Sequence, residues 1–526
     1  MTSVGVRPRA SISSAPSLLA VVLGLLCLIA IVALRLELLA AVLALLMLVA
    51  AFDRQVLAWP SLVGALIVLI LIIPIRRYTL PVNVGGFELE PYRALVAFIV
   101  VGWIAALLVD PRVRLRRTGL EAPIAAIWIA ILASIFVNFD RISEFGVETN
   151  VVKSITFLLS FFVVLYVISS VASSSAALRL VKVLVAVGSL VAVLAVIESR
   201  TGKNAFNGFG WVPFLRENVL PNPEADVTGF TRGDRLRTYA SAEHPIALAA
   251  ALAMLVPVAL ALALSGSRRW FAAAAVLTLG TLSTVSRTGV VMLAVIGLVF
   301  LWLRPLRTIQ MWWALIPLLF VIHASLPNTI GVLKSSFFPP GDLLQEQRSS
   351  ATSRTAGGRV ADLAPTLNEV SRSPFLGVGF GSQVVEPPGV SQPKNPPEVP
   401  LPEAAKARIL DNQWLGLLLE VGMLGLLAWA WFFAGFIRRA ARAAKEDHSD
   451  RGWMLVGLTA AVFAYAIGML TFDAFAFVQS VFILFILVAF GTVLLRVRPQ
   501  PAAREPEREQ PPPTLELPTA GGLSRA

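Results

Sequence analysis

Five short stretches hold residue types and spacings that could do chemistry. RLRTYASAEHP, residues 235–245, contains Arg235, Arg237, Glu243 and His244, and STVSRTG, residues 283–289, contains Arg287. GGR at 357–359 supplies Arg359, PFLGVGFG follows at 374–381, and DNQWLGLLLEVGMLG, 411–425, opens with Asp411 and Asn412. Arginine is always charged, and its planar fork of donors matches phosphate oxygens. Three or more guanidinium groups around one outer cavity would suit a diphosphate carried on a lipid. Arg287 stands out because no loop of useful length surrounds it.

Each candidate also has a plainer reading. A lone arginine at a membrane boundary can snorkel to the headgroups. His244–Pro245 can simply start a helix, since proline suits the first helical turn. Asp411 stands where a helix N-cap is expected and could accept the amide of Trp414, so capping and catalysis both stay open for it. Gly377, Gly379 and Gly381 lack the strand and helix context of a nucleotide motif and read as a tight turn. Glu420 is nine residues past Asp411, half a turn out of phase, and reads as a buried helix–helix contact. Asp473 reads as the terminator of a span.

The elements that must position these residues are set by hydropathy. The chain has 526 residues, 57% hydrophobic and only 14% charged, and its mean hydropathy is +0.77. Its apolar runs are long enough to cross roughly 30 Å of hydrocarbon. The spacing predicts spans at about 17–34, 36–52, 56–75, 92–109, 121–139, 151–171, 178–198, 243–264, 270–285, 287–303, 310–328, 412–436, 453–471 and 476–495. The expected fold is therefore all-α, a polytopic membrane protein of about 14 transmembrane helices with a large extracytoplasmic loop.

Charge orients the spans. The net charge of +12 lies mostly in short loops and is a topology signal, which argues against nucleic-acid binding. Arg112, Arg114, Arg116, Arg117, Arg268, Arg269, Arg304, Arg307, Arg438, Arg439, Arg442, Lys445 and Arg451 fall in loops expected inside. Arg76 and Arg77 are exceptions, in a loop expected outside. Cys27 is the single cysteine, so no disulfide forms within the chain, and three scattered histidines make no obvious metal site. The stretch after Arg7 and Arg9 lacks a convincing cleavage site and reads as a retained helix.

The expected organisation is a cytoplasmic N-terminus at 1–16, helices 1–7 over 17–198, and an extracytoplasmic loop at 199–242. Helices 8–11 follow over 243–328, then a large extracytoplasmic loop at 329–411, helices 12–14 over 412–495, and a disordered cytoplasmic tail at 496–526. Within the large loop, Val360, Leu363, Leu367 and Val370 recur at helical spacing, an amphipathic segment that Pro365 kinks or starts.

RTYASAEHP (237–245), Ser286–Arg287, GGR, PFLGVGFG and DNQWLGLLLEVGMLG together resemble the O-antigen ligase and O-antigen polymerase superfamily, in order and spacing over about residues 150–495. The resemblance implies an inverting, metal-independent glycosyltransferase of the bacterial plasma membrane, acting at the extracytoplasmic face without nucleotide sugar or cofactor. Its donor would be a polyprenyl-diphosphate-linked glycan, such as one carried on undecaprenyl diphosphate, and its acceptor a hydroxyl of a glycan or glycolipid. Arg237, Arg287 and Arg359 would hold the diphosphate. Asp411 stands where the family often has a histidine that takes the acceptor proton, followed by Asn412; His244 and Arg235 would support the site. Aspartate in place of histidine is one departure, and an extra N-terminal hairpin beyond the family's usual twelve or so spans is another.

Two other functions fit the same sequence. One is a transporter or flippase of a lipid-linked glycan, which would move its substrate chemically unchanged. The other is an inactive relative serving as a scaffold.

Overall fold

A computed structural model of the chain describes residues 58–81, 83–84, 87–111, 113–144, 146–212, 215–217, 231–232, 235–337, 363–382 and 410–497. Arg359, Val360 and the two spans expected at 17–34 and 36–52 lie outside the described residues.

The described chain is helical. It runs α1 (Trp59–Ile72), α2 (Pro91–Val109), α3 (Glu121–Val137), α4 (Phe139–Glu144), α5 (Glu148–Val171) and α6 (Ser174–Thr201). Then come α7 (Pro245–Ser265), α8 (Arg269–Ser283), α9 (Arg287–Leu303), α10 (Pro305–Gln310), α11 (Leu315–Ser325) and α12 (Thr329–Phe337). The set ends with α13 (Leu363–Val370), α14 (Gln413–Glu446), α15 (Asp450–Gly468) and α16 (Val478–Leu495). Short strands β1 to β6 at Tyr78–Thr79, Asn83–Val84, Phe87–Glu88, Arg216–Glu217, Thr231–Arg232 and Arg235–Leu236 make three antiparallel pairs: β1 with β4, β2 with β3, and β5 with β6.

Seven of the described helices, α2, α5, α6, α7, α14, α15 and α16, are long and apolar enough to cross a membrane. Helices α1, α3 and α9 are shorter apolar helices, and α8 has 15 residues. The chain is thus a multi-pass membrane protein. The run expected as one span at 310–328 is broken: α11 and α12 meet at a bend of 100°. Pro327 explains it, since a proline pushes the residue before it out of helical geometry. Leu326 is at φ −129° and Asn328 at φ 63°.

Helices α7 and α16 form the centre. The apolar windows of these two helices are 89% and 94% buried, against 17% for α2 at the periphery. Helix α7 is rich in alanine, which lets neighbouring backbones approach closely. The peripheral helices expose large apolar side chains such as Leu108, Phe136 and Phe320, as a lipid-facing surface does.

Arginines tie the helix ends together at the end of the bundle where α14 finishes. Arg304 donates to the carbonyls of Ala444 and Asp447, Arg439 to Thr118 O at 2.9 Å, and Arg451 to Leu494 O at 2.9 Å. Arg496 donates to the carbonyls of Arg117 and Ser169. Most of these carbonyls end helices and carry the negative pole of the helix dipole. The basic loops read from the sequence are therefore built into the helix packing at this end.

Candidate active site

The opposite end gathers the starts of α5, α7, α9, α14 and α16 with the ends of α1, α8 and α15. Gln479 of α16 donates to Ile70 O at 2.9 Å and to Ser241 Oγ at 3.3 Å, while Ser241 donates to Leu71 O. These bonds fix the stretch 237–245 against the end of α1.

The loop PFLGVGFG is riveted into a break in α14. Gly422, at φ 63° and ψ −166°, interrupts the helix. The loop pairs with the opened backbone: Val378 donates to Leu419 O at 2.9 Å, Gly379 to Glu420 O at 3.2 Å, and Met423 to Pro374 O at 2.9 Å. Gly377, Gly379 and Gly381 all have positive φ, which glycine alone adopts without steric cost. A Cβ on Gly377 would meet the Leu419 carbonyl, and one on Gly422 would meet the backbone of Phe375. The glycine series is a turn, as its composition suggests, and also a contact with no room for side chains.

Glu420 makes the helix–helix contact expected of it through its backbone. Its carbonyl does meet α3, accepting from Ser134 Oγ at 2.7 Å. Its carboxylate, however, accepts the Gly381 amide at 3.3 Å and lines a cavity of about 280 Å³. Gln413 is seven residues before Glu420 on the unbroken first stretch of α14, two turns away on the same face, and lines the same cavity.

The cavity brings Arg76, Asn150, Lys153, Gln413, Glu420 and Asp473 together with the rings of Phe157, Phe161, Phe380 and Phe475. Arg76 donates to Ala476 O at 3.1 Å and lies 3.6 Å from the Glu243 carboxylate. Burial pushes the Glu243 carboxyl up to about 7, against the pull of Arg76 and with the repulsion of Glu90. Burial, then the charge of Asp411, pushes the Asp473 carboxyl up to about 6. Asp473 thus does more than end a span. The pocket combines convergent cations and carboxylates with aromatic walls, the make-up of a ligand site.

Of the described residues expected from the sequence to form a site, Arg235, Arg237, His244, Arg287, Asp411 and Asn412, none lines this cavity. Asp411 is half-buried, and its charge reaches Asp473. The N-cap of α14 is Asn412, whose Oδ1 accepts the Leu415 amide at 3.1 Å, so the cap falls one residue after the expected Asp411. The reason is tertiary: the Gln413 amide donates to Met469 O at 2.8 Å and Phe472 O at 3.1 Å, which holds the start of the helix against the α15–α16 loop. His244 starts α7, its Nδ1 accepting the Ile246 amide at 3.1 Å, and its ring stacks on Phe477.

Arg237 and Arg287 are each placed at the α8–α9 turn. Arg237 is buried and donates from Nε to Thr284 O at 3.3 Å, and Thr238 bonds Ser283 at 2.8 Å. Arg287 is the first residue of α9, and its buried Nε has no hydrogen-bond partner. A cation at the positive pole of a helix is unfavourable by itself and favours an anion beside it. Val285 in this turn is at φ 49°, a strained conformation for a β-branched residue, and Arg76 and Ala240 at the same end also have positive φ. Arg235 is half-buried on β6, where burial and nearby Arg200 hold its guanidinium below the ordinary value. Arg237, Arg287 and Asp411 stand outside the lining of the 280 Å³ cavity. Asp411 is linked to it through its charge on Asp473, and Thr288, next to Arg287, has its hydroxyl 2.7 Å from that of Thr471, two residues before Asp473.

The sequence singles out neither Arg76 nor Lys153 for chemistry, and reads Asp473 only as the terminator of a span. Arg76 had one signal, as an exception to the charge rule in a loop expected outside.

Residues 272–430 match the O-antigen ligase family. The resemblance read from the sequence holds over that segment. It covers the α8–α9 turn with Arg287, the glycine loop, Asp411, Asn412 and the break at Gly422. Arg76, Lys153, Arg237, His244 and Asp473 lie outside the O-antigen ligase match. No curated protein matches the chain.

Proposed function

We propose that the protein is a membrane glycan ligase or polymerase, moving a glycan from a polyprenyl-diphosphate carrier to a hydroxyl acceptor at the extracytoplasmic face of the plasma membrane. In this reading α1, α3, α8, α9 and the bent α11–α12 pair also span, and the two N-terminal apolar runs complete fourteen. The basic end of the bundle faces the cytoplasm.

One observation carries the reading. Arg287, within the segment that matches O-antigen ligase, sits at the same end of the bundle as Asp411, Asp473 and the cavity that holds Arg76 and Lys153. The acceptor hydroxyl attacks the anomeric carbon as its proton passes to a carboxylate of the Asp411–Asp473 pair. The new C–O bond forms on the face opposite the carrier, and the bond from sugar to diphosphate breaks with inversion. Arg287 and Arg237 stabilise the charge that grows on the leaving diphosphate, with Arg359 assigned to the same role by the resemblance. Two neighbouring carboxylates cannot both ionise easily, so one keeps a raised pKa and is a better base near neutral pH than an isolated aspartate. The guanidinium groups supply the positive charge, so chelators are expected to leave transfer intact.

The test is reconstitution with a polyprenyl-diphosphate oligosaccharide and a hydroxyl acceptor, scoring free lipid diphosphate and the new linkage. Production of both supports the reading. Recovery of the donor chemically unchanged on the opposite leaflet would establish transport instead, and no change of any kind would leave a scaffold.

A further inference from the structure

The basic end of the bundle holds two buried polar groups that the helix packing does not satisfy. Arg496, just past the end of α16, donates from Nε to Arg117 O at 3.0 Å and from Nη1 to Ser169 O, while its Nη2 is buried without a hydrogen-bond partner. Ser170, beside Ser169 in the last turn of α5, is only 3% exposed, and its hydroxyl also has no partner. Both groups can donate, and a buried donor without an acceptor costs free energy that a ligand oxygen would recover.

Two more guanidinium groups act at the same place. Burial and then the charge of Arg116 hold the Arg496 guanidinium below its ordinary value; Glu121 opposes this and Arg439 adds to it. Arg439, on α14, is held in place: it donates to Thr118 O at 2.9 Å and lies against Gly119, where a Cβ would collide with its guanidinium. The Glu121 carboxylate is already engaged, its Oε1 accepting from the amide and the hydroxyl of Thr118. Three cations thus face one carboxylate at this point, and the imbalance favours an anion with several acceptor oxygens.

The neighbouring side chains indicate a lipid source for that anion. Leu115, next to Arg116, and Val497, next to Arg496, are both exposed apolar residues at the end of a membrane bundle. Cations flanked by exposed apolar chains match a phospholipid headgroup whose acyl chains run along the helices. The excess positive charge disfavours a headgroup that carries its own ammonium. We propose that Arg116, Arg439, Arg496 and Ser170 bind the phosphate of an anionic phospholipid in the leaflet at this end of the bundle.

The test uses the full chain in phosphatidylcholine nanodiscs containing a trace of phosphatidylglycerol with a photoreactive headgroup. Label is expected on residues 114–119 and at the end of α16, displaced by unlabelled phosphatidylglycerol and not by phosphatidylcholine or inorganic phosphate. Labelling elsewhere, or equal displacement by phosphatidylcholine, overturns the proposal. Equal displacement by inorganic phosphate would make this a site for a soluble anion and overturn the lipid assignment.

Ser170→Ala removes only the hydroxyl and is expected to weaken labelling about tenfold. Arg116→Gln is expected to weaken it about fivefold. Arg116 is exposed, so its variant keeps the test decisive should Ser170→Ala fail to fold. Labelling at the parent's level in either folded variant overturns the proposal.

Discussion

Arg76 and Glu243 come from loops far apart in the chain, yet the guanidinium and carboxylate lie 3.6 Å apart at the edge of the main cavity. The pair is lopsided: the Arg76 side chain is 51% exposed and that of Glu243 only 7%. The carboxylate pays the larger desolvation penalty, and its pKa of about 7 follows.

A pH dependence of stability results. The Glu243 carboxyl has an ordinary value of 4.5 when unfolded and about 7 in the fold. Between those values the unfolded chain releases a proton that the native protein keeps, so stability falls as pH rises through the window and levels off above it. Glu243→Gln should remove this contribution, on the order of 3 kcal/mol. Melting temperatures in detergent from pH 5 to 8 should fall for the parent protein and stay flatter for the variant. Parallel curves would contradict the buried-carboxyl account.

The carboxylate pair makes a prediction about rate. If Asp473 takes the acceptor proton, transfer should rise with pH through about 6, where its carboxyl ionises. Asp473→Asn should then cost at least 100-fold in kcat. Asp411→Asn removes the neighbouring charge and should move the acid limb to lower pH while transfer persists. Abolition of transfer by Asp411→Asn, with Asp473→Asn active, would assign the base to Asp411.

Arg287→Ala should lower transfer roughly 100- to 1,000-fold, the usual effect of losing one donor to a developing negative charge. Arg287→Lys should recover little, because an ammonium cannot reproduce the planar fork. Normal transfer by either inserted variant would remove Arg287 from the diphosphate site.

Gly377→Ala and Gly422→Ala should each destabilise the protein by at least about 2 kcal/mol, combining a left-handed backbone with a clash against a carbonyl or main chain. Thermal melts would show it. Gly297→Ala is the control: a Cβ there meets nothing within 4 Å.

Orientation is open to a labelling test. In a Cys27→Ser background, Ser371→Cys should react with a membrane-impermeant maleimide on intact cells, and Ser449→Cys only after permeabilisation. The reverse pattern would place the cavity on the cytoplasmic side and end the transferase proposal.

The helices were legible because a membrane span must be continuously apolar for its length, and α5, α7 and α16 announce themselves so. The break between α11 and α12 was visible only as Pro327, a residue that many spans accommodate without bending. At the site, His244 and the glycine loop followed from local chemistry: a histidine before proline can cap, and closely spaced glycines turn. The cap at Asn412 did not, because two good capping residues adjoin and bonds from Gln413 to the distant Met469 and Phe472 choose between them. Arg76, Lys153 and Asp473 meet through tertiary packing alone, which no local pattern records.

The length of α14 has a consequence for where the reaction occurs. From the break at Gly422 the helix continues to Glu446, roughly 36 Å. Its last turns carry Arg438, Arg439, Arg442 and Lys445, which resist entry into hydrocarbon. The helix acts as a depth gauge: its charged collar grips one surface and thereby sets the height of Asp411 and Gln413 at the other. Removing one helical turn ahead of the collar would sink both by about 5.4 Å, away from water-borne hydroxyls. Such a deletion should insert normally and lose transfer, leaving a complete set of reactive groups at the wrong altitude.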